Sequence, residues 1–104
     1  MQLRPAEVAA RLAQGEDLVL LDVREPKELR LAALPGVVHI PMAEVPRRVT
    51  ELDPERLIVV VCHHGVRSAR ICAYLSTQGF ERLANLRGGI DAWSREVDAS
   101  VPLY

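Results

Sequence analysis

The segment with the clearest chemical content is Cys62-His63-His64-Gly65-Val66-Arg67-Ser68. It follows directly on Leu57-Ile58-Val59-Val60-Val61, a β-branched run that predicts a strand. It leads into residues Ser68 to Gln78, which predict a helix with Ile71, Cys72 and Leu75 on its inner side and Gly79 as a left-handed cap. A strand, a tight loop and a helix in that order turn several backbone N–H groups toward one point. Gly65 supplies backbone angles that other residues resist. Such a nest, with a helix N-terminus behind it, favours an anion. The sulfur of Cys62 is expected at its focus, where the thiolate is the stabilised and nucleophilic form. Arg67 is expected to add a full positive charge at the end of the loop. The chemistry this implies is that of a covalent cysteine nucleophile. The competing reading is a small buried residue, since a cysteine after an apolar strand often only fills space.

His63 and His64 invite two further ideas. One is acid–base work beside the cysteine. The other is a metal, but Cys62, His63 and His64 are consecutive and can hardly converge on one tetrahedral ion, and no CxxC or spaced His pair exists elsewhere. No metal or other cofactor is expected. The favoured reading is that both histidines shape the mouth of the pocket and tune its charge near neutral pH.

The elements that must position this loop alternate in type. Helices are predicted over Pro5 to Gln14, Pro26 to Ala33 and Pro46 to Leu52, with strands over Leu18 to Val23 and Val37 to Ile40. After the Cys62 loop and its helix, Leu83 to Leu86 reads as a strand, and Gly88-Gly89 opens a last helix to about Val97. Strands alternating with helices imply an α/β fold: a central, mostly parallel sheet of about four or five strands with helices on both faces. Ligands in such folds bind beyond the carboxyl ends of the strands, which is where Cys62 falls.

The 104 residues fit one domain, residues 1–104, without an internal repeat or linker. A composition of 49% hydrophobic and 26% charged residues is that of an ordinary globular chain. The formal charge of -1 argues against nucleic-acid or membrane-surface partners, which call for a basic excess. The N-terminal stretch lacks the apolar run of a signal peptide, and no segment approaches the roughly 20 apolar residues of a membrane span. A cytoplasmic location is therefore expected, with Cys62 and Cys72 reduced, and since nothing resembles a strong association surface a monomer is expected.

Several motifs, taken in order, carry a resemblance to a known family. Cys62 to Ser68 strongly resembles the active-site loop of the rhodaneses. Leu20-Leu21-Asp22-Val23-Arg24-Glu25-Pro26 resembles their early strand motif, and His39-Ile40-Pro41 and Leu86-Arg87-Gly88-Gly89-Ile90-Asp91-Ala92-Trp93 resemble two further signatures. The matches span nearly the whole chain. One departure is Ala32-Ala33-Leu34-Pro35-Gly36, where family members often place a histidine. The resemblance implies a rhodanese-like fold and a thiosulfate sulfurtransferase activity with a persulfide on Cys62. A donor such as thiosulfate would give up its outer sulfur, and cyanide, a thiol or a protein would accept it. His63, His64, Gly65, Val66, Arg67 and Ser68 would bind substrate, with Arg67 drawing in an anionic donor.

Two rivals differ in class. Cysteine phosphatases, some built on a similar fold, and arsenate reductases need five residues between cysteine and arginine to wrap a tetrahedral anion. Here only four, His63 to Val66, separate Cys62 from Arg67. The shorter loop suits a single sulfur atom. The second rival is a non-enzymatic binding or regulatory module of the same family, against which the retained Cys62 and complete loop speak. Among the remaining residues, Asp22, Arg24 and Glu28 read as an ionic network ordering the turn after their strand. Cys72 reads as a core cysteine rather than a resolving thiol, Trp93 as packing, Gly88-Gly89 as a tight turn, and Arg47, Arg48 and Glu51 as a solvated face.

Overall fold

The computed structural model describes all 104 residues. Five parallel strands form one sheet: β1 (Gln2–Leu3), β2 (Leu18–Asp22), β3 (Val38–His39), β4 (Leu57–Val61) and β5 (Leu83–Leu86), in the order β1-β5-β4-β2-β3. The helices are α1 (Pro5–Ala13), α2 (Pro26–Leu31), α3 (Val45–Arg48), α4 (Val66–Thr77) and α5 (Gly89–Glu96).

The central strands β2 and β4 are buried along their whole length, as continuous apolar runs must be when helices cover both faces. Their side chains alternate. Leu57, Val59 and Val61 join Val8 of α1 and Ile90 and Trp93 of α5 in one core. Ile58 and Val60 join Val45 of α3 and Ile71 and Leu75 of α4 in the other. Cys62 continues this alternation past the end of β4 and so faces the α4 side, where it is buried. The expectation for Trp93 as core volume holds.

Four differences from the sequence reading have local causes. Strand β1 was not foreseen, because two residues carry no periodicity; Gln2 and Leu3 gain strand character only by pairing with Asn85 and Leu86. The helix expected to Ala33 ends at Leu31, since Ala32 is extended and turns its side chain into the core. The helix expected over Pro46 to Leu52 is broken into a single α-turn, α3, flanked by 3-10 turns at Met42–Glu44 and Val49–Glu51. Helix α4 begins two residues earlier than expected, at Val66, so Arg67 belongs to its first turn. No helix is long and apolar enough to cross a membrane.

Candidate active site

The loop leaves β4 at Val61 and enters α4 at Val66. Register places Asp22 of β2 beside Val61, and His39 of β3 beside Asp22, so the carboxyl ends of three strands lie together under the loop. Gly65 makes the turn at φ +97°, a left-handed conformation that a side chain would strain. Its N–H then donates to Cys62 Sγ at 3.0 Å. The Ser68 amide donates to the same sulfur at 3.4 Å, and the Ser68 hydroxyl lies 3.2 Å from it. The amides of His63, His64, Val66 and Arg67 donate to no backbone or side-chain acceptor. The expected cradle is therefore built, with two amides and one hydroxyl already on Sγ.

What holds the loop open to its own sulfur is its neighbours. Its carbonyls are drawn outward by the N-terminus of α5: Ile90 N–H donates to the Cys62 carbonyl at 2.9 Å and Asp91 N–H to the His63 carbonyl at 3.1 Å. This contact requires Gly89. A Cβ there would collide with the carbonyls of both Cys62 and His63. The turn expected of Gly88-Gly89 thus has a second purpose, close approach of two backbones.

Asn85 on β5 is the residue that sequence reasoning missed. It is buried; its side-chain N–H₂ donates to the Gly65 carbonyl at 3.1 Å and to Gln2 Oε1 at 3.2 Å, while its oxygen accepts from the Ser68 hydroxyl. These partners fix which way the amide points. The signal was present in Leu83-Ala84-Asn85-Leu86, because a polar residue inside an apolar strand must find partners. Ser68 has one hydroxyl proton and two acceptors, Asn85 and Sγ. With Cys62 as a thiol, S–H donates to Ser68 and Ser68 to Asn85. With Cys62 as a thiolate, the hydroxyl proton turns onto sulfur.

The acidic and basic residues of the early strand motif form the expected network, and it extends to the loop. Arg24 and Asp22 are an ion pair at 2.7 Å with both side chains fully buried. Burial alone would weaken the Arg24 charge, but bonds from Asp22 and Tyr104 keep it strengthened. Arg24 donates to the Tyr104 hydroxyl at 3.0 Å, and Tyr104 donates to Glu28 at 2.7 Å. Glu28 grips Arg67 through two bonds of 2.7 and 2.9 Å. Hydrogen bonding from Arg67, then from Tyr104, holds the Glu28 carboxyl down at about 2, and the same pairing drives Arg67 further toward its charged form. Arg67 carries the positive charge expected at the loop's end, and Glu28, reaching it from α2, pairs with its guanidinium.

Tyr104 was not foreseen either, since nothing local marks a terminal tyrosine. Its ring stacks on His63 at 3.8 Å and 4° between planes, and His63 stacks on His64 at 3.8 Å and 30°. Burial, and then the charge of His64, keep His63 toward its neutral form. Its Nε2 is buried without a partner, while His64 is exposed. Asp91, brought in by α5, places a carboxylate so that ligand atoms of His63, His64 and Asp91 all lie within 4.8 Å of one another, a grouping that residue spacing did not suggest. The stacked rings hold their nitrogens in nearly parallel planes, and Asp91 is bonded to Arg95 at 3.0 Å. Cys72 packs against the core, and burial pushes its thiol up to about 11. It is therefore a thiol at neutral pH and a poor nucleophile.

The chain is similar to several known proteins. A family model described as a rhodanese-like domain matches residues 4–96. A protein of Allochromatium vinosum named sulfurtransferase is 43% identical over 88 residues, covering 85% of this chain and 82% of its own length. The thiosulfate sulfurtransferase GlpE of Glaesserella parasuis is 33% identical, covering 84% and 81%. Among solved structures, a rhodanese-like domain protein from Staphylococcus aureus superposes with a TM-score of 0.86 at 27% identity, covering 100% of this chain and 99% of that one.

Proposed function

The chain belongs to the rhodanese-like domain family, whose members similar to it include sulfurtransferases, and from that premise we propose that it moves sulfane sulfur through a persulfide on Cys62. The observation that carries the proposal is Cys62 Sγ at the mouth of β4, receiving the amides of Gly65 and Ser68 and sharing the Ser68 hydroxyl.

In the first step the Cys62 thiolate attacks the outer sulfur of a donor. The donor's S–S bond breaks, its remainder leaves with the bonding pair, and Cys62 carries the transferred sulfur. In the second step a thiophilic acceptor attacks that outer sulfur and the thiolate returns. Neither step needs an obligatory proton carrier, which suits a loop whose His63 is shifted toward its neutral form and has Nε2 without a partner. The cradle's contribution is electrostatic. Two amides meet the sulfur in the resting enzyme, and the amides of His63, His64, Val66 and Arg67 supply further donors as negative charge moves outward onto the second sulfur. Splitting one transfer into two displacements is covalent catalysis.

Donors and acceptors are small molecules such as thiosulfate, cyanide and thiols, with a protein acceptor equally compatible with an exposed loop mouth at His64 and Val66. The protein acts as a monomer in a reducing, cytoplasmic setting that keeps Cys62 free of disulfides. A thiocyanate-release assay with thiosulfate and cyanide tests the reading. Wild type is expected to turn over, while Cys62→Ser retains the fold and loses all activity. Turnover by the serine variant would overturn it.

A further inference from the structure

The guanidinium fork of Arg67 is closed. Its two terminal nitrogens meet both oxygens of Glu28, in the bidentate geometry that a sulfonate would also need. Glu28 is not on a free arm. The Tyr104 hydroxyl and the Glu25 amide hold its two oxygens, and Arg24 holds Tyr104 from a fully buried ion pair with Asp22. A dianion approaching the Cys62 thiolate is favoured by a nearby free cation, and the guanidinium at the loop's end is already matched. Asp91 is likewise matched by Arg95. Beginning at Arg67, a groove of about 490 Å³ runs along α4, with Met42, Pro46, Ile71 and Tyr74 as an apolar wall and the exposed Arg70 at its rim. Such a wall accommodates a carbon chain.

We propose that Glu28 determines the donor class: by occupying Arg67 it disfavours sulfonate-headed donors such as thiosulfate and favours an alkyl persulfide, R–S–SH, whose carbon chain lies along the Met42–Tyr74 groove. The proposal rests on the sulfur-transfer reading above. The chemistry balances without an added oxidant or reductant. The Cys62 thiolate attacks the outer sulfur of R–S–SH, a new S–S bond forms as the old one breaks, and RS⁻ leaves with the bonding pair. Cys62 is oxidised to the persulfide level as the donor sulfur is reduced to a thiolate.

The test compares thiosulfate with 2-hydroxyethyl persulfide, which bears no sulfonate, by following the rate of sulfur loading on the intact protein. Wild type is expected to load faster from the persulfide. Glu28→Gln opens the fork, and the ratio of the thiosulfate to the persulfide rate constant is expected to rise about tenfold. Adding Arg67→Ala to Glu28→Gln is expected to cancel that rise, a result that mere loosening of α2 would not produce. Should Glu28→Gln fail to fold, Tyr104→Phe removes one bond restraining the carboxylate and is expected to move the ratio the same way by a smaller factor. An unchanged or reduced ratio, or a rise that survives loss of Arg67, overturns the assignment of Glu28. Failure of every protein to load from either donor overturns the sulfur-transfer reading itself, and the assignment with it.

Discussion

Asn85→Leu isolates the contribution of the residue that ties β5 to the loop. The substitution keeps the branching and nearly the size of the side chain, so it removes hydrogen bonds without opening a cavity. Three bonds are lost, and they differ in consequence. Gln2 is exposed and recovers its partner from water. The Ser68 hydroxyl has Sγ at 3.2 Å as an alternative acceptor. The Gly65 carbonyl keeps only a long 3.4 Å bond from Ala69 N–H. An unsatisfied buried polar group costs about 1–3 kcal/mol, and the residual Ala69 bond puts this case in the lower half, about 1–2 kcal/mol. For a domain of this size that is a fall in melting temperature of about 5–10 °C. The loop also loses the restraint that aims Gly65 N–H at sulfur, and a misaimed donor is expected to lower kcat/KM about tenfold. Calorimetry together with steady-state thiocyanate release measures both. A melting temperature within 2 °C of wild type would show that Asn85 does not bear on the Gly65 carbonyl. A clear fall in stability with kcat/KM unchanged would show that loop geometry does not depend on it.

Other substitutions probe the same construction from different sides. Gly89→Ala places a methyl group against the carbonyls of Cys62 and His63, and is expected to destabilise by about 1–3 kcal/mol and to lower the rate of Cys62 alkylation by iodoacetamide, because the loop must move to make room; normal alkylation with normal stability would refute the close approach. Glu28→Gln tests the ion pair through acid stability. The Glu28 carboxyl sits at about 2 rather than the usual 4.5, so its contribution is complete above pH about 4.5 and is lost as pH falls toward 2. Urea unfolding of wild type should therefore weaken by about 1–2 kcal/mol more than the variant over that window, the value being reduced because Arg67 is partly exposed, and parallel curves would refute the pair. Cys72→Ala should leave persulfide formation and its discharge by cyanide within twofold of wild type, since burial keeps Cys72 as an unreactive thiol; trapped persulfide in this variant would reveal a resolving role.

The parts of the site that could be read from the chain are those whose causes are local. Five consecutive apolar, largely β-branched residues before Cys62 read as a covered strand, and a glycine three residues on reads as a turn, so the nucleophile's place at the end of β4 followed. The two-residue periodicity that buries Ile58 and Val60 on one face also aims Cys62 at α4. The parts that escaped are set by contacts distant in sequence. Asn85 reaches Gly65 across 20 positions and Tyr104 reaches Glu28 across 76. Gln2 and Leu3 become a strand only against β5. Arg67 could be recognised as a charge at the loop's end, but its neutralisation by Glu28 depends on where α2 comes to rest, which no local pattern encodes.

The most direct test of the account is the intact mass of the wild-type chain and of Cys62→Ser after exposure to thiosulfate and to 2-hydroxyethyl persulfide. The account predicts a gain of one sulfur atom on wild type, its absence from the serine variant, and its removal by cyanide with release of thiocyanate. A wild-type chain that stays unmodified while iodoacetamide shows Cys62 to be reduced and reactive, or a gain of sulfur that persists without Cys62, would contradict it.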